Sequence, residues 1–377
     1  MRIIFKMNWQ ALFSACLVAL TACTAPKPPP SQLPVTEQTD GGTTRAAVLG
    51  MVGACALKNA SDFKVAADAL GAQPSPDTWR EAMKRWQRVE LLQLGPTGSS
   101  AAPGGMDLRD QIYSWPLVSR CGVDQVLATK GWERGVSSLL VNRRGLAALE
   151  VLLFAPPDTL TCSQDVWSTL DATERSARRR AYTQAVADDV KALAVTHLEA
   201  WSAGFVDTLR TAGPGNAVYM SQQGAMNRVS DALFYVEKEL KNAKLAVPIG
   251  LRECAAPPCV DAVESPLARH STENLRQNLS GFRALFEGCA DGRDGFDDLL
   301  IGLSAESLAT RMRERLIAAQ AALEAIEEPD LAAALTADPA SVRALYDAVK
   351  AVTDLLKSEF ITVLDLELPM GLEGDND

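Results

Sequence analysis

The feature of this sequence that most constrains its fold is an apolar stretch that contains a single carboxylate. The stretch runs from residue 143 to residue 154 and reads RRGLAALEVLLF. Helical spacing places Leu146, Glu150 and Leu153 on the same face. A carboxylate in a leucine stripe costs free energy unless a partner compensates it or its pKa rises. We therefore predict a buried helix in which Glu150 needs a partner, with Gly145 leaving space for a close backbone or ligand.

The first residues are typical of an exported lipoprotein. Arg2 and Lys6 give a positive start, and the apolar core at 11–20 is too short to cross a bilayer comfortably. Residues 20–23 read LTAC, which resembles a lipobox. We predict that residues 1–22 are a signal peptide and that Cys23 is lipidated, which would place the protein in the bacterial envelope. A plain signal peptide or a membrane-spanning helix is the alternative.

The predicted linker after the lipid anchor covers residues 23–44. It has five prolines between Pro26 and Pro34, a composition that favours a stiff, extended chain. Thr24, rather than Asp, follows the cysteine and favours the outer membrane, with the protein facing the periplasm. Cleavage removes two of 37 basic residues and none of the 47 acidic ones, so the mature charge is 35 minus 47, or −12. A chain this acidic is not expected to bind nucleic acid.

The cysteine content favours an oxidising compartment. Signal cleavage and lipidation leave six cysteines in the mature chain: Cys55, Cys121, Cys162, Cys254, Cys259 and Cys289. An even number in an exported chain indicates disulfides, although the count alone leaves fifteen pairings open. Cys254–Cys259 is the expected local pair, since it brackets a short loop, and Cys121–Cys162 is a second candidate. No C-x-x-C occurs, which argues against a thiol oxidoreductase or zinc ribbon.

Apolar spacing predicts an all-α protein. Ser75-Pro76-Asp77 is a helix start, and an aromatic stripe follows it up to Gln93. The other predicted helices cover about 168–211, 220–245, 267–286, 299–326 and 342–364. Gly213-Pro214-Gly215 is the best boundary between two domains. The predicted domains are therefore helical bundles at 45–213 and 216–377.

Several segments resemble the imelysin family of bacterial envelope proteins, which is also classified among peptidases. Gly145, Ala147 and Glu150 occupy the three positions of its G-x-H-x-x-E motif, with Ala in place of His. The other matching segments are residues 110–116, 227–228, 244–251, 264–265 and 368–375. The resemblance implies two helical bundles packed around a cleft that the helix carrying Glu150 lines.

The missing histidine weakens any metal site at this motif. Ala147 has no lone pair, and Glu150 alone cannot hold a transition metal tightly. No tightly bound cofactor is expected; at most, Glu150 and other oxygens would hold a metal ion weakly. His197 has the spacing of a packed helix face, and Arg228 is a candidate ion-pair partner for Glu150. The candidate cleft residues beside Glu150 are Asn227, Arg228, Glu264, Ser265 and His270.

Three classes of function fit these observations. The first is a non-enzymatic envelope lipoprotein that binds a ligand and is associated with the uptake of iron or another metal. The second is a metallopeptidase, active or degenerate, which the absent histidine argues against. The third is a scaffold that holds an envelope protein at the outer membrane. The expected partners are therefore the membrane, through the lipid, and an unidentified small ligand, metal or envelope protein.

Overall fold

A computed structural model describes residues 43–157, 159–289 and 292–369, all of which lie in one compact unit, Gly41–Asp377. These residues form helices and connecting loops and contain no β-strand, so the predicted all-α class is confirmed. The predicted signal peptide, Cys23 and the predicted linker up to residue 42 lie outside the described residues. No helix in the described ranges combines the length and apolar character that a membrane span requires.

The helices follow one another through short loops and several 3₁₀ turns. The α-helices of the described residues are α1 (Arg45–Ala72), α2 (Pro76–Val89), α3 (Leu108–Ile112), α4 (Arg120–Thr129), α5 (Gly145–Phe154), α6 (Asp165–Ser168), α7 (Ala172–Ala200), α8 (Val206–Arg210), α9 (Gln222–Leu233), α10 (Val247–Ile249), α11 (Ser271–Phe286), α12 (Phe296–Gly302), α13 (Glu306–Glu324), α14 (Leu331–Ala337), α15 (Pro339–Leu355) and α16 (Ile361–Val363). Three π-helical segments extend this set: Trp201–Phe205, Val236–Ala246 and Leu356–Phe360.

Local sequence signals explain where several helices begin. The Ser75 side chain accepts a hydrogen bond from the Thr78 backbone N–H, and the Thr78 hydroxyl oxygen accepts one from the Ser75 N–H, which forms a capping box. Trp79 and Trp86 are completely buried on the predicted face of α2. The helix ends at Val89, however, so the prediction that it continues to Gln93 was wrong.

Two hydrophobic clusters form the core, and α1 contributes to both. The half of α1 from Val48 to Ala60 packs in a cluster with α9, α11, α13 and α15, while Phe63 to Leu70 packs with α2, α5 and α7. This helix, Arg45–Ala72, was not among the helices predicted from the sequence. The domain boundary at 213–216 and the cleft between two bundles stay predictions.

Two of the long predicted helices are interrupted. The stretch 168–211 is helical in α7 and then passes through a π-helical turn in which Gly204 has φ 153°, a value that breaks the regular helix. The stretch 299–326 is divided between α12 and α13, since Ser304 adopts a positive φ of 60° between them. Both breaks were missed because apolar spacing continues across them.

Three disulfides connect the six cysteines of the described residues. Cys254–Cys259 and Cys121–Cys162 confirm the two predicted pairs. The third, Cys55–Cys289, joins α1 to the segment after α11 over a sequence separation of 234. A crosslink over so long a loop removes much of the conformational freedom of the unfolded chain.

Candidate functional site

The helix α5 begins at a point where two backbones nearly touch. Gly145 has φ 73°, and a Cβ at this position would lie 2.5 Å from the carbonyl oxygen of Ile112. Only glycine tolerates both the positive φ and this approach. The Trp79 indole N–H also donates a 2.8 Å hydrogen bond to the carbonyl of Leu146, which fixes α5 against α2. Gly145 therefore serves the packing of α5 against the residues at the end of α3.

Glu150 is buried, and its partners are backbone amides. Its side chain is 7% exposed, and its Oε1 accepts hydrogen bonds from the N–H groups of Leu267 (2.9 Å) and Ala268 (3.0 Å). Burial raises the pKa of Glu150 to about 7, although these two bonds and the nearby Arg120 oppose the increase. The carboxyl group therefore titrates near neutral pH.

The predicted ion pair between Glu150 and Arg228 was wrong. Arg228 forms a salt bridge with Asp231, three residues further along α9. Asn227 lies beside it and accepts a 3.3 Å hydrogen bond from the Glu367 N–H near the C-terminal end of the described chain. In the described part of the chain, neither side chain bonds to Glu150, so this pair of candidates belongs to a different region.

The other three candidates lie on the segment that Glu150 binds, residues 264–270. Ser265 has φ 50°, and its buried Oγ accepts a 3.1 Å hydrogen bond from the Asn274 side chain. The His270 N–H bonds back to the Ser265 carbonyl. Glu264 and Ser265 point into the protein core, whereas His270 is only partly buried. The structure thus brings Glu264, Ser265 and His270 together with Glu150 through one short loop.

Glu264 connects this loop to a group of buried polar side chains. Its Oε1 accepts hydrogen bonds from Gln87 (3.1 Å) and from the Tyr113 hydroxyl (2.8 Å). Its Oε2 lies 3.0 Å from the ammonium of Lys244. All four residues are buried. Glu264 therefore has side-chain donors and a cation as its partners, whereas the donors to Glu150 are backbone amides.

Lys244 lies at the centre of four side-chain oxygens. Besides Glu264, its Nζ lies 2.7 Å from Gln87 Oε1, 3.0 Å from Glu90 Oε1 and 2.9 Å from Asn278 Oδ1. Lys244 is only 2% exposed, and the other members of the group are 0–2% exposed. We call these five residues the Lys244 cage. An ammonium with this many oxygen partners compensates the two carboxylates that it contacts.

The pKa of Glu90 shows the effect of the cage. Burial would raise this pKa, but Lys244, Arg109 and the hydroxyl of Tyr235 together hold it below its ordinary value. Burial and the neighbouring carboxylates raise the pKa of Tyr113 well above 10. The tyrosine therefore remains protonated and can donate to Glu264.

Sequence reasoning missed most of the Lys244 cage. Glu90 follows Trp79, Met83 and Trp86 at helical spacing. This pattern places a carboxylate on an aromatic helix face and could have identified Glu90 as a buried acid. Lys244 was noticed only as the beginning of a segment that resembles the family. Nothing in the sequence around Gln87 or Asn278 distinguishes them from ordinary surface amides.

A cavity of about 580 Å³ opens beside the 264–270 loop. Its residues come from α2, the start of α11 and the loop before α14: Asp77, Arg80, Glu81, Lys84, Arg269, His270, Thr272, Glu273, Arg276, Ile326, Glu328 and Pro329. Burial lowers the pKa of His270 to about 4, and its Nε2 is buried without a hydrogen-bond partner in the described part of the chain. The cavity is thus strongly polar and lined by charges of both signs.

His197 belongs to the core rather than to this region. It is 1% exposed, and its Nε2 accepts a 3.1 Å hydrogen bond from the Trp201 indole and lies 2.8 Å from the Thr97 hydroxyl. The predicted packed position is confirmed. Within the described ranges, no group of three or more His, Cys, Asp or Glu side chains is arranged to hold a metal ion.

The fold and these buried groups define an all-helical protein organised around a buried carboxylate at the centre of α5. The family model for imelysin, within a peptidase family, matches residues 54–358. The chain therefore belongs to the imelysin family. No curated protein matches it.

Two solved structures share the fold. One is provisionally named iron-regulated protein A precursor, from Parabacteroides distasonis ATCC 8503; at 18% identity and a TM-score of 0.63, the alignment covers 85% of this chain and 97% of that one. The other is an imelysin-like protein from Psychrobacter arcticum 273-4, with 18% identity, a TM-score of 0.60 and coverage of 86% and 93%. At this identity, the likeness concerns the fold alone.

Proposed function

We propose that this chain is a non-enzymatic binding protein of the cell envelope, held at the outer membrane by a lipid on Cys23 and associated with iron uptake. Three disulfides support an oxidising compartment. The provisional name of the Parabacteroides structure supports a link to iron. Incorporation of labelled palmitate that is lost in Cys23→Ala tests the anchor.

The observation that carries the binding role is the position of the 580 Å³ cavity. The segment 264–273 both lines this cavity, through His270 and Thr272, and supplies the two amides that hold Glu150. A volume of this size is within the range of small-ligand sites. The buried hydroxyl of Thr272, a lining residue, has no hydrogen-bond partner among the described residues. The expected ligand is a small polar molecule or complex.

The residues at the family motif do not fit a tightly bound transition metal. Ala147 offers a methyl group, is 2% exposed and packs in the core. Glu150 Oε1 is already engaged by two amides. A catalytic zinc needs three protein ligands and an open position. The donor set at this helix therefore disfavours a metallopeptidase reaction, and no catalytic step is assigned to it.

The test measures ligand binding with a matched pair of variants. The probe is ferric nitrilotriacetate, titrated calorimetrically into the lipid-free mature chain, with free nitrilotriacetate as its control. Glu328 lines the cavity, whereas the adjacent Glu327 is exposed and does not line it. We expect Glu328→Gln to change the affinity by about fivefold or more, the scale of one charged contact, and Glu327→Gln to leave it unchanged.

A peptidase assay addresses the alternative directly. With labelled casein as substrate, we expect no proteolysis above background, with or without a chelator. Chelator-sensitive cleavage that disappears in Glu150→Ala would overturn the non-enzymatic assignment. Equal binding of the probe by wild type and both Glu variants, or no binding at all, would remove the support for this cavity as the ligand site.

A further inference from the structure

A second cavity, of about 430 Å³, lies at the end of α4 and is separate from the residues of the proposed ligand site. The residues that line it are Gln125, Val126, Thr129, Gly131, Arg134, Ser138, Leu139 and Arg143. The chain has 47 acidic and 37 basic residues, yet none of the eight is acidic and two are arginines. The lining is therefore cationic on a protein whose net charge is negative.

The two arginines have no ion-pair partner in the described ranges. Arg134 is exposed, and neither its guanidinium nor that of Arg143 takes part in a salt bridge or side-chain hydrogen bond. Arg143 Nε is buried without an acceptor. Both arginines line the cavity, and no acidic side chain there compensates their charge. Two uncompensated guanidinium groups at one cavity favour an anionic ligand.

Neighbouring residues fix the position of Arg143. A Cβ on Gly122 would lie 2.9 Å from Arg143 Nε, so the glycine allows the guanidinium to lie against α4. The Tyr182 hydroxyl donates a hydrogen bond to the Arg143 carbonyl and holds its backbone from the other side. Arg143 thus occupies a defined place immediately before α5.

The hydroxyls in the cavity specify a second feature of the ligand. Thr129 donates its proton to the Gln125 carbonyl (2.8 Å), and Ser138 donates to the Gly135 carbonyl (2.7 Å). Their oxygens therefore remain as acceptors. Guanidinium groups bind carboxylate or phosphate through parallel hydrogen bonds, and the two hydroxyl oxygens accept from a donor on the same molecule.

We propose that this cavity binds a small oxyanion that also carries a hydroxyl group, such as a hydroxycarboxylate or a hydroxylated phosphate ester. Arg134 and Arg143 hold the anionic group, and Thr129 and Ser138 accept from the hydroxyl. The volume suits a molecule of several heavy atoms rather than a bare ion. This site does not depend on the proposed iron-related function, because its residues and its ligand chemistry are separate.

The test uses calorimetric titration of the lipid-free mature chain with four probes. Malate and glycerol 3-phosphate carry both features, while succinate lacks the hydroxyl and inorganic phosphate lacks the carbon chain. We expect malate or glycerol 3-phosphate to bind, and whichever binds more tightly identifies the anion. Succinate should bind several-fold more weakly than malate, because the loss of a hydroxyl leaves Thr129 and Ser138 without a donor.

The variants distinguish binding at this cavity from nonspecific attraction of an anion to basic residues on the surface. Arg134→Gln and Arg143→Gln should each weaken binding about tenfold, the scale of a charge-assisted contact. Arg180→Gln is the control, since Arg180 is exposed on α7, does not line the cavity and donates a side-chain hydrogen bond to Ser176. Because Arg134 is exposed, its variant remains informative even if Arg143→Gln fails to fold. Equal affinity in Arg134→Gln and wild type, or no binding of either hydroxylated probe at about 10 mM, would overturn the proposal.

Discussion

The Lys244 cage and the Glu150 site bury carboxylates in two different ways. Glu90 is completely buried, yet its pKa lies below the ordinary value because Lys244 and Arg109 outweigh the effect of burial. Glu150 is slightly more exposed, yet burial raises its pKa to about 7 because its contacts are two neutral amides. Depth of burial therefore does not decide the protonation state of these groups. The charge of the nearest partner does.

Removal of the central cation should have the largest effect. Lys244→Met leaves Glu90 and Glu264 buried without their ammonium, and we expect a loss of about 3–5 kcal/mol in the free energy of unfolding. Urea denaturation at pH 7 measures this loss. The disulfides stay oxidised in this measurement, so that the unfolded state is the same for each variant.

Lys241→Met is the matched control for that variant. Lys241 is equally buried and lies 2.7 Å from Glu237, but Glu237 retains Lys357 at 3.3 Å when Lys241 is lost. The loss of stability should therefore be clearly smaller. If Lys241→Met proved as destabilising as Lys244→Met, the cage would have no special role in compensating its carboxylates.

Glu150→Gln should stabilise the protein, and the gain should depend on pH. The pKa of Glu150 is about 7 in the folded state and 4.5 as the reference value, so the folded state binds more protons between these pH values. Wild type therefore loses stability as the pH rises from 4.5 to 7, by about 3 kcal/mol in total. Glutamine does not titrate, so the gain should be largest at pH 8 and should shrink toward pH 4.5. Thermal unfolding at pH 5 and pH 8 measures the difference.

Glu90→Gln should change the stability of the protein in the opposite direction. The pKa of Glu90 is lowered in the folded state, so its stabilising effect is present above the reference value of 4.5 and is lost as the pH falls through the folded value. This variant should destabilise the protein most at neutral pH. A gain of stability in Glu90→Gln at pH 8, or a loss in Glu150→Gln, would contradict the contrast between the two sites.

Loss of one neutral donor should have the smallest effect. Tyr113→Phe removes the 2.8 Å hydrogen bond to Glu264 but leaves Gln87 and Lys244 in place. We expect a loss of about 1–2 kcal/mol in the free energy of unfolding. A double-mutant cycle with Glu264→Gln checks that the loss acts through this carboxylate, and additive effects would show that it does not.

Two of the confirmed predictions rest on local signals. The helix start at Ser75 is encoded within a few residues, and the Cys254–Cys259 pair closes a loop with a separation of five. Such features depend on backbone geometry and chain entropy over a few residues, which the sequence displays directly. The close approach at Gly145 was also indicated, because a glycine at the start of an apolar helix is unusual without a steric reason.

The sequence by itself determined that the chain is helical, that it carries disulfides and that α5 buries a carboxylate in need of a partner. The tertiary structure alone decided what that partner is. Glu150 accepts its hydrogen bonds from backbone N–H groups 117 and 118 residues away. Every residue type except proline has such a group, so no residue type in the sequence identifies these donors. The Lys244 cage was equally hidden, since Gln87 and Asn278 are 191 residues apart. Only the packing of α2 against α11 makes them neighbours, because burial and electrostatic compensation depend on distance in space rather than along the chain.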